Sequence, residues 1–103
     1  MIEVSSTKLT GVLTIKPPTI FNDSRGSYVE IYNEMLYAEA GIGVRFVQDD
    51  ISMSAKNVLR GIHGDRETWK LVSCLHGEFY LVVIDWDDAS PQRGVWESVV
   101  LSD

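Results

Sequence analysis

Few side chains in this sequence could do chemistry. There are two histidines, His63 and His76, one cysteine, Cys74, and nine Lys and Arg side chains that include Arg25, Arg60 and Lys70. A guanidinium offers forked donors to anionic oxygens and stays charged at any working pH, so Arg25 and Arg60 are candidates for a local basic pocket. An isolated histidine, by contrast, is more often satisfied by one hydrogen bond than used as a base. His63 is followed by Gly64-Asp65 and not by a second histidine, and His76 stands far along the chain. Two histidines so placed make a poor metal site, so no metal is expected. A lone cysteine permits neither an internal disulfide nor a thiolate cluster. Gly41 and Gly43 lack the third glycine of a dinucleotide fingerprint, and no Ser/His/Asp arrangement is present, so no cofactor is expected either.

The elements that must position these groups read mainly as strands. Residues 11–16 alternate before Pro17-Pro18, where the missing N–H donors end a strand. Residues 21–26 read as a turn. Residues 27–32 alternate Tyr28, Glu30 and Tyr32 against Val29 and Ile31, the period of a strand. Residues 33–40 form the one helical segment, with Asn33 as cap and Gly41 as stop. Five further strands are predicted at 44–54, 58–63, 69–75, 78–85 and 95–101, with turns at Asn57, Gly64-Asp65, His76-Gly77 and Ser90-Pro91. In 78–85 both faces are apolar, which predicts a central strand covered on both sides.

Residues Phe46, Gln48, Asp50, Ser52 and Ser54 share one face of their predicted strand. In a plain sandwich that face meets solvent, whereas in a barrel with a wet interior it lines a pocket. Composition frames the choice. The 103 residues are 45% hydrophobic and 23% charged, which suits one globular domain over residues 1–103, with no linker or repeat to divide it. A formal charge of −6 repels nucleic acid and anionic lipid at a distance, so neither partner is expected, and an anionic ligand needs a local basic pocket. Residues 1–12 lack the continuous apolar run of a secretion signal, and nothing approaches a membrane span. A reducing, cytoplasmic setting follows as the expectation.

One ordered set of motifs is more specific. Phe21-Asn22-Asp23-Ser24-Arg25-Gly26, then Tyr28 and Glu30, Gln48-Asp49-Asp50, Lys56-Asn57-Val58-Leu59-Arg60-Gly61-Ile62-His63, Lys70-Leu71-Val72 and Gly77-Glu78 together resemble the dTDP-4-dehydrorhamnose 3,5-epimerases over residues 11–101. The resemblance implies an all-β cupin, a double-stranded β-helix jelly roll, working as a homodimer. It also implies cofactor-free inversion of the carbons beside the C4 ketone of a nucleotide-linked 4-keto-6-deoxyhexose. A C–H beside a carbonyl is a weak acid, so such a site needs a base tuned near neutral pH and a cation where enolate charge develops.

By resemblance His63 is the catalytic base and Lys70 the group at the developing oxyanion. Arg60 and Arg25 become phosphate ligands, with Arg25 reaching the neighbouring subunit's site. Strict alternation sends Arg60 and His63 to opposite faces, so Gly61 is a candidate bulge that turns both inward. Phe21 and Glu30 match family positions near the nucleotide base and sugar; as residues alone they read as core and solvated face. Gln48 matches a pocket glutamine. Asp50 stands where the family usually has asparagine, which removes a donor and adds a negative charge. Asp85 either pairs with Lys70 and orients the site or caps a surface turn beside Asp87 and Asp88. The short stretch 64–69 is more similar to epimerases of other nucleotide-linked keto sugars, including GDP-heptoses, and leaves the nucleotide open.

Family members continue past the position of Leu101, with a histidine-bearing strand, the tyrosine held to return the proton and an aspartate that pairs with the base. Tyr28 and Tyr80 do not occupy that tyrosine's motif position. The resemblance therefore implies that residues 1–103 are a portion of a longer protein. A nucleotide-sugar 3,4-ketoisomerase and a non-catalytic nucleotide-sugar-binding remnant are the alternative functions.

Overall fold

In the computed structural model, which describes residues 2–17 and 20–103, three antiparallel hairpins and one helix are joined by long extended segments. β1 (Glu3–Ser6) pairs with β2 (Leu13–Lys16), placing Val4 opposite Ile15. β3 (Ile20–Asp23) pairs with β4 (Gly26–Val29), placing Phe21 opposite Tyr28. β5 (Glu78–Ile84) pairs with β6 (Trp96–Ser102) over seven residues of each strand. The β1–β2 connection is folded by Thr7, whose hydroxyl donates to the Val12 carbonyl at 2.8 Å and accepts from the Leu9 N–H at 3.2 Å. Gln92 then binds that connection from the other end of the chain. Its Oε1 accepts from the Thr10 N–H and hydroxyl, both at 3.1 Å, and its Nε2 donates to the Lys8 carbonyl at 2.7 Å.

Helix α1 (Glu34–Glu39) starts and stops where its capping residues dictate. Asn33 is extended and its Oδ1 accepts from the Leu36 N–H at 3.1 Å, satisfying one of the donors that a helix start leaves free. Gly41, at φ +92°, ends it in a conformation that favours glycine. The buried Tyr37 fixes the helix to its surroundings: its hydroxyl donates to the Ile31 carbonyl at 3.0 Å, and its ring meets Tyr32 edge-on, which in turn meets Phe46. Burial is the main reason that the Tyr37 phenol is pushed up from its usual value, with Tyr32 and Glu30 adding to it.

Several sequence expectations are corrected. Residues 21–26 are a hairpin, not one turn: β3 runs into a two-residue turn at Ser24-Arg25, and β4 follows. The strand expected at 27–32 ends at Val29. Segments 44–54, 58–63 and 69–75 belong to no strand, because a strand needs a hydrogen-bonded neighbour and these find none among the described residues. Gly61, at φ +114°, consequently interrupts no ladder as a bulge would, although its backbone conformation still favours glycine. β5 is not central. Among the described residues it pairs only with β6, and Tyr80 and Val82 are exposed. β2 ends before Pro17 as expected, while Pro18 lies outside the described residues.

The core is correspondingly small. Ile2, Leu9 and Tyr37 are the buried hydrophobic residues among those described, whereas Val47, Met53, Leu59 and Ile62 are largely open to solvent. The accessible surface is 9079 Å², against roughly 5,800 Å² for a folded monomer of this mass. The radius of gyration is 15.2 Å, against about 13 Å for a compact chain of this length. Among the described residues no helix is long and apolar enough to cross a membrane.

Candidate nucleotide-sugar site

The β3–β4 hairpin builds the first half of the site. Its two-residue turn puts Arg25 beside Asp23, whose carboxylate accepts from the Arg25 backbone N–H at 2.8 Å, Nε at 3.2 Å and Nη2 at 2.6 Å. That side-chain bond is the chief reason that the Asp23 carboxyl lies below its usual value and the Arg25 guanidinium above its own. Across the pair, Phe21 and Tyr28 face each other with ring centroids 6.5 Å apart. With Asp23, Arg25, Gly26 and Ser27 these rings line a groove of about 420 Å³. An aromatic wall beside an arginine suits a nucleoside phosphate, since a base has a face to stack and a phosphate accepts from a guanidinium. Tyr28 and the restraint from Asp23 were missed as site features in the sequence. The signal that could have found Tyr28 is its place opposite Phe21 across a short turn.

Gln48 and Asp50 do share one side of their segment, as the alternation requires: the Gln48 Nε2 donates to an Asp50 carboxylate oxygen at 3.0 Å. Both are exposed. Asp50 also lines a second groove, of about 310 Å³, formed where residues 31–32, 49–51 and 71–75 converge. Its other walls include Tyr32, Ile51, Leu71 and Leu75, none of which the sequence had marked as a site residue. The half-buried Glu30 adjoins this region through Ile31 and stands close enough to Tyr37 to act on its phenol. Phe21 and Glu30 are therefore not brought into one groove.

Arg60 folds back on its own segment. Its Nε donates to the Ser54 hydroxyl at 2.7 Å and its Nη2 to the Met53 carbonyl at 2.9 Å, closing the bend at Asn57, which itself has φ +67°. His63 and Lys70 are exposed and line neither groove. Between them runs a short loop closed by Asp65, which accepts from the Glu67 N–H at 2.9 Å, the Thr68 N–H at 2.7 Å and the Thr68 hydroxyl at 2.8 Å. The Thr68 hydroxyl is the largest of the causes that hold the Asp65 carboxyl below its usual value, and the Lys70 charge is the smallest. The same loop is tied to the β5–β6 connection. Arg66 reaches Asp88 at 3.4 Å, and Asp88 reaches Arg93, which lies over the Trp86 ring at 4.2 Å.

Asp85 resolves in favour of the turn. It accepts from the Asp87 N–H and the Ser90 hydroxyl, and the latter bond is the main cause of its lowered carboxyl value. Its carboxylate is occupied by the turn, and it forms no ion pair with Lys70 among the described residues.

Comparison with known proteins gives this arrangement a family. A family model described as dTDP-4-dehydrorhamnose 3,5-epimerase matches residues 6–103. The protein of that name from Methanothermobacter thermautotrophicus is 43% identical over 99 residues, covering 94% of this chain and 53% of that protein. The one from Salmonella typhimurium is 42% identical over 106 residues, covering 99% and 57%. A crystal structure of the Bacillus anthracis dTDP-4-dehydrorhamnose 3,5-epimerase with TDP and PPi bound superposes with a TM-score of 0.88 at 31% identity, over 99% of this chain and 60% of that one. The Elizabethkingia anophelis enzyme superposes with a TM-score of 0.76 at 36% identity. The strand-dominated fold is thus the cupin-like all-β fold of these enzymes, and the chain spans about half the length of the curated relatives it matches. On a match that runs from Ser6 to Asp103, the chain belongs to the dTDP-4-dehydrorhamnose 3,5-epimerase family.

Proposed function

We propose that this chain serves the 3,5-epimerisation of a nucleotide-diphosphate 4-keto-6-deoxy sugar, without a cofactor, in deoxysugar or polysaccharide biosynthesis. The observation that carries the reading is the family match, which spans residues 6–103 and so includes the Arg60–His63 and Lys70 motifs. His63 takes the proton from the carbon beside the C4 ketone. The electron pair left behind delocalises onto the C4 oxygen as an enolate, where the Lys70 ammonium opposes the new negative charge. Return of a proton to the opposite face of the same carbon inverts it. Phe21 and Tyr28 give the base a stacking wall, Arg25 and Arg60 bind the diphosphate, and Gln48, Asp50 and Glu30 address the sugar. Arg25 reaches a neighbouring subunit's site in a homodimer, and the protein works in the cytoplasm.

The test is deuterium uptake from heavy water into a nucleotide-linked 4-keto-6-deoxyhexose. Label at C3 and C5 is expected. His63→Ala is expected to slow uptake by about 10²–10⁴-fold, the usual contribution of a positioned base. Equal uptake by both forms overturns the base assignment, and transfer between C3 and C4 without inversion points to a ketoisomerase. Binding of the nucleotide sugar without turnover is the second reading. The hairpin groove favours it, being formed within this chain while His63 and Lys70 both stand exposed.

A further inference from the structure

Arginine carries five N–H donors in a planar fork, and the edge left free decides what it can bind. Arg25 commits one edge within its own turn. Its Nε and Nη2 both donate to one Asp23 carboxylate oxygen, at 3.2 and 2.6 Å, while the other oxygen accepts from the Arg25 backbone N–H at 2.8 Å. The carboxylate is thus fixed by the backbone at one oxygen and grips the guanidinium with the other. Two of the five donors are used, so three remain, on Nη1 and at the second position of Nη2, and they have no partner among the described residues. Two nitrogens side by side match two oxygens of a phosphate. The hairpin register sets where this happens. Phe21 stands opposite Tyr28 and Asp23 opposite Gly26, so the carboxylate follows the aromatic pair on the same face and Gly26 adds no side chain to crowd it. Asp23 and Arg25 line the groove together with the two rings.

A carboxylate on the wall of a phosphate groove opposes the charge of its ligand, so attraction alone does not explain it. The ion pair itself adds little, because the Arg25 and Asp23 side chains are 89% and 51% exposed and water screens them. What the two-pronged contact supplies is direction. A free arginine gives up the freedom of several bonds when it binds, whereas one already held at Nε gives up less. We infer that Asp23 is the positioning residue of Arg25: by occupying the Nε–Nη2 edge, it leaves the Nη1–Nη2 edge of the guanidinium presented to a diphosphate beside the Phe21–Tyr28 wall. This rests on the phosphate role proposed for Arg25. It holds whichever subunit's diphosphate is bound, since the clamp and the arginine sit on one hairpin and move together.

The experiment uses the 103-residue chain, with TDP and, separately, GDP as probes. In the ligand-free chain, NMR relaxation of the Arg25 Nε–H is expected to report an ordered group, and Asp23→Ala is expected to make it mobile while the Phe21 and Tyr28 ring signals stay in place. Arg25→Ala should weaken binding by about tenfold or more, the usual effect of losing a hydrogen bond to a charged group. Asp23→Ala should weaken it by about three- to tenfold, the effect of freeing one long side chain, although it removes a negative charge. Added to Arg25→Ala, the same change should alter affinity by no more than about twofold. Asp23→Asn keeps an acceptor for the Arg25 N–H and is expected to fall between wild type and Asp23→Ala, which separates lost positioning from an unravelled turn. Equal or tighter binding by Asp23→Ala overturns the inference alone, as does an equal loss in the Arg25→Ala background. Arg25→Ala without effect, or a wild-type chain that binds neither nucleotide, overturns the phosphate role of Arg25 and the inference with it.

Discussion

Asp65 shows how a single carboxylate orders the segment between the two proposed catalytic groups. It holds two backbone N–H groups and the Thr68 hydroxyl, and these bonds favour its charged form. A carboxyl whose folded-state value is lowered contributes stability that is present above the unfolded-state value and is lost as pH falls through the folded-state one. The loop should therefore stay closed at neutral pH and open only in acid, below the ordinary carboxylate range. Asp65 is fully exposed, so the contribution is screened and small. Amide exchange at Glu67 and Thr68, corrected for intrinsic rates and followed down the acid limb, should show protection falling there. Flat protection across that limb would contradict the assignment. Legibility at this scale was uneven. Asn33 could be assigned as a cap from its type and its place before Glu34, whereas the turn around Asp65 told nothing of the hydroxyl it binds.

At the scale of elements, the sequence was read well where structure is local and poorly where it depends on partners. Helix α1 is a six-residue element whose start rests on one side-chain bond. Asn33→Ala should destabilise it by about 1 kcal/mol, as cap removal generally does. A lower melting midpoint together with faster exchange at Leu36 is the expected outcome, and an unchanged Leu36 amide would show that the cap bond contributes little. β5 and β6 were located from alternation to within a residue or two, because the His76-Gly77 turn and the Ser90-Pro91 turn bound them locally. The segments 44–54, 58–63 and 69–75 were read as strands by the same rule, yet they are only extended. Alternation reports which residues can sit on a pleated surface, and it is silent on whether a neighbour exists to complete the ladder. Gln92 is the opposite case: three hydrogen bonds join it to residues 82 and 84 positions away, and nothing in its local sequence marks them.

For the whole molecule, open surface dominates. Small-angle scattering of the isolated chain should return a radius of gyration close to 15.2 Å, clearly above the value of about 13 Å for a compact monomer. A value at the compact figure would mean that the exposed residues of 44–75 collapse onto the hairpins in solution.

Taken alone, the amino-acid order determined the family, the strand-rich class, the helix with its cap and the residue types that suit proton transfer and phosphate binding. Each of these depends on motif identity or on neighbours a few positions apart. Tertiary structure decided the rest: Phe21 and Tyr28 share a groove, Asp23 occupies Arg25, Arg60 is folded onto Met53 and Ser54, Asp85 serves a turn, and three strand-like segments find no ladder among the described residues. These outcomes turn on which distant groups compete for one hydrogen-bond partner or one apolar face. Periodicity along a chain carries no record of that competition.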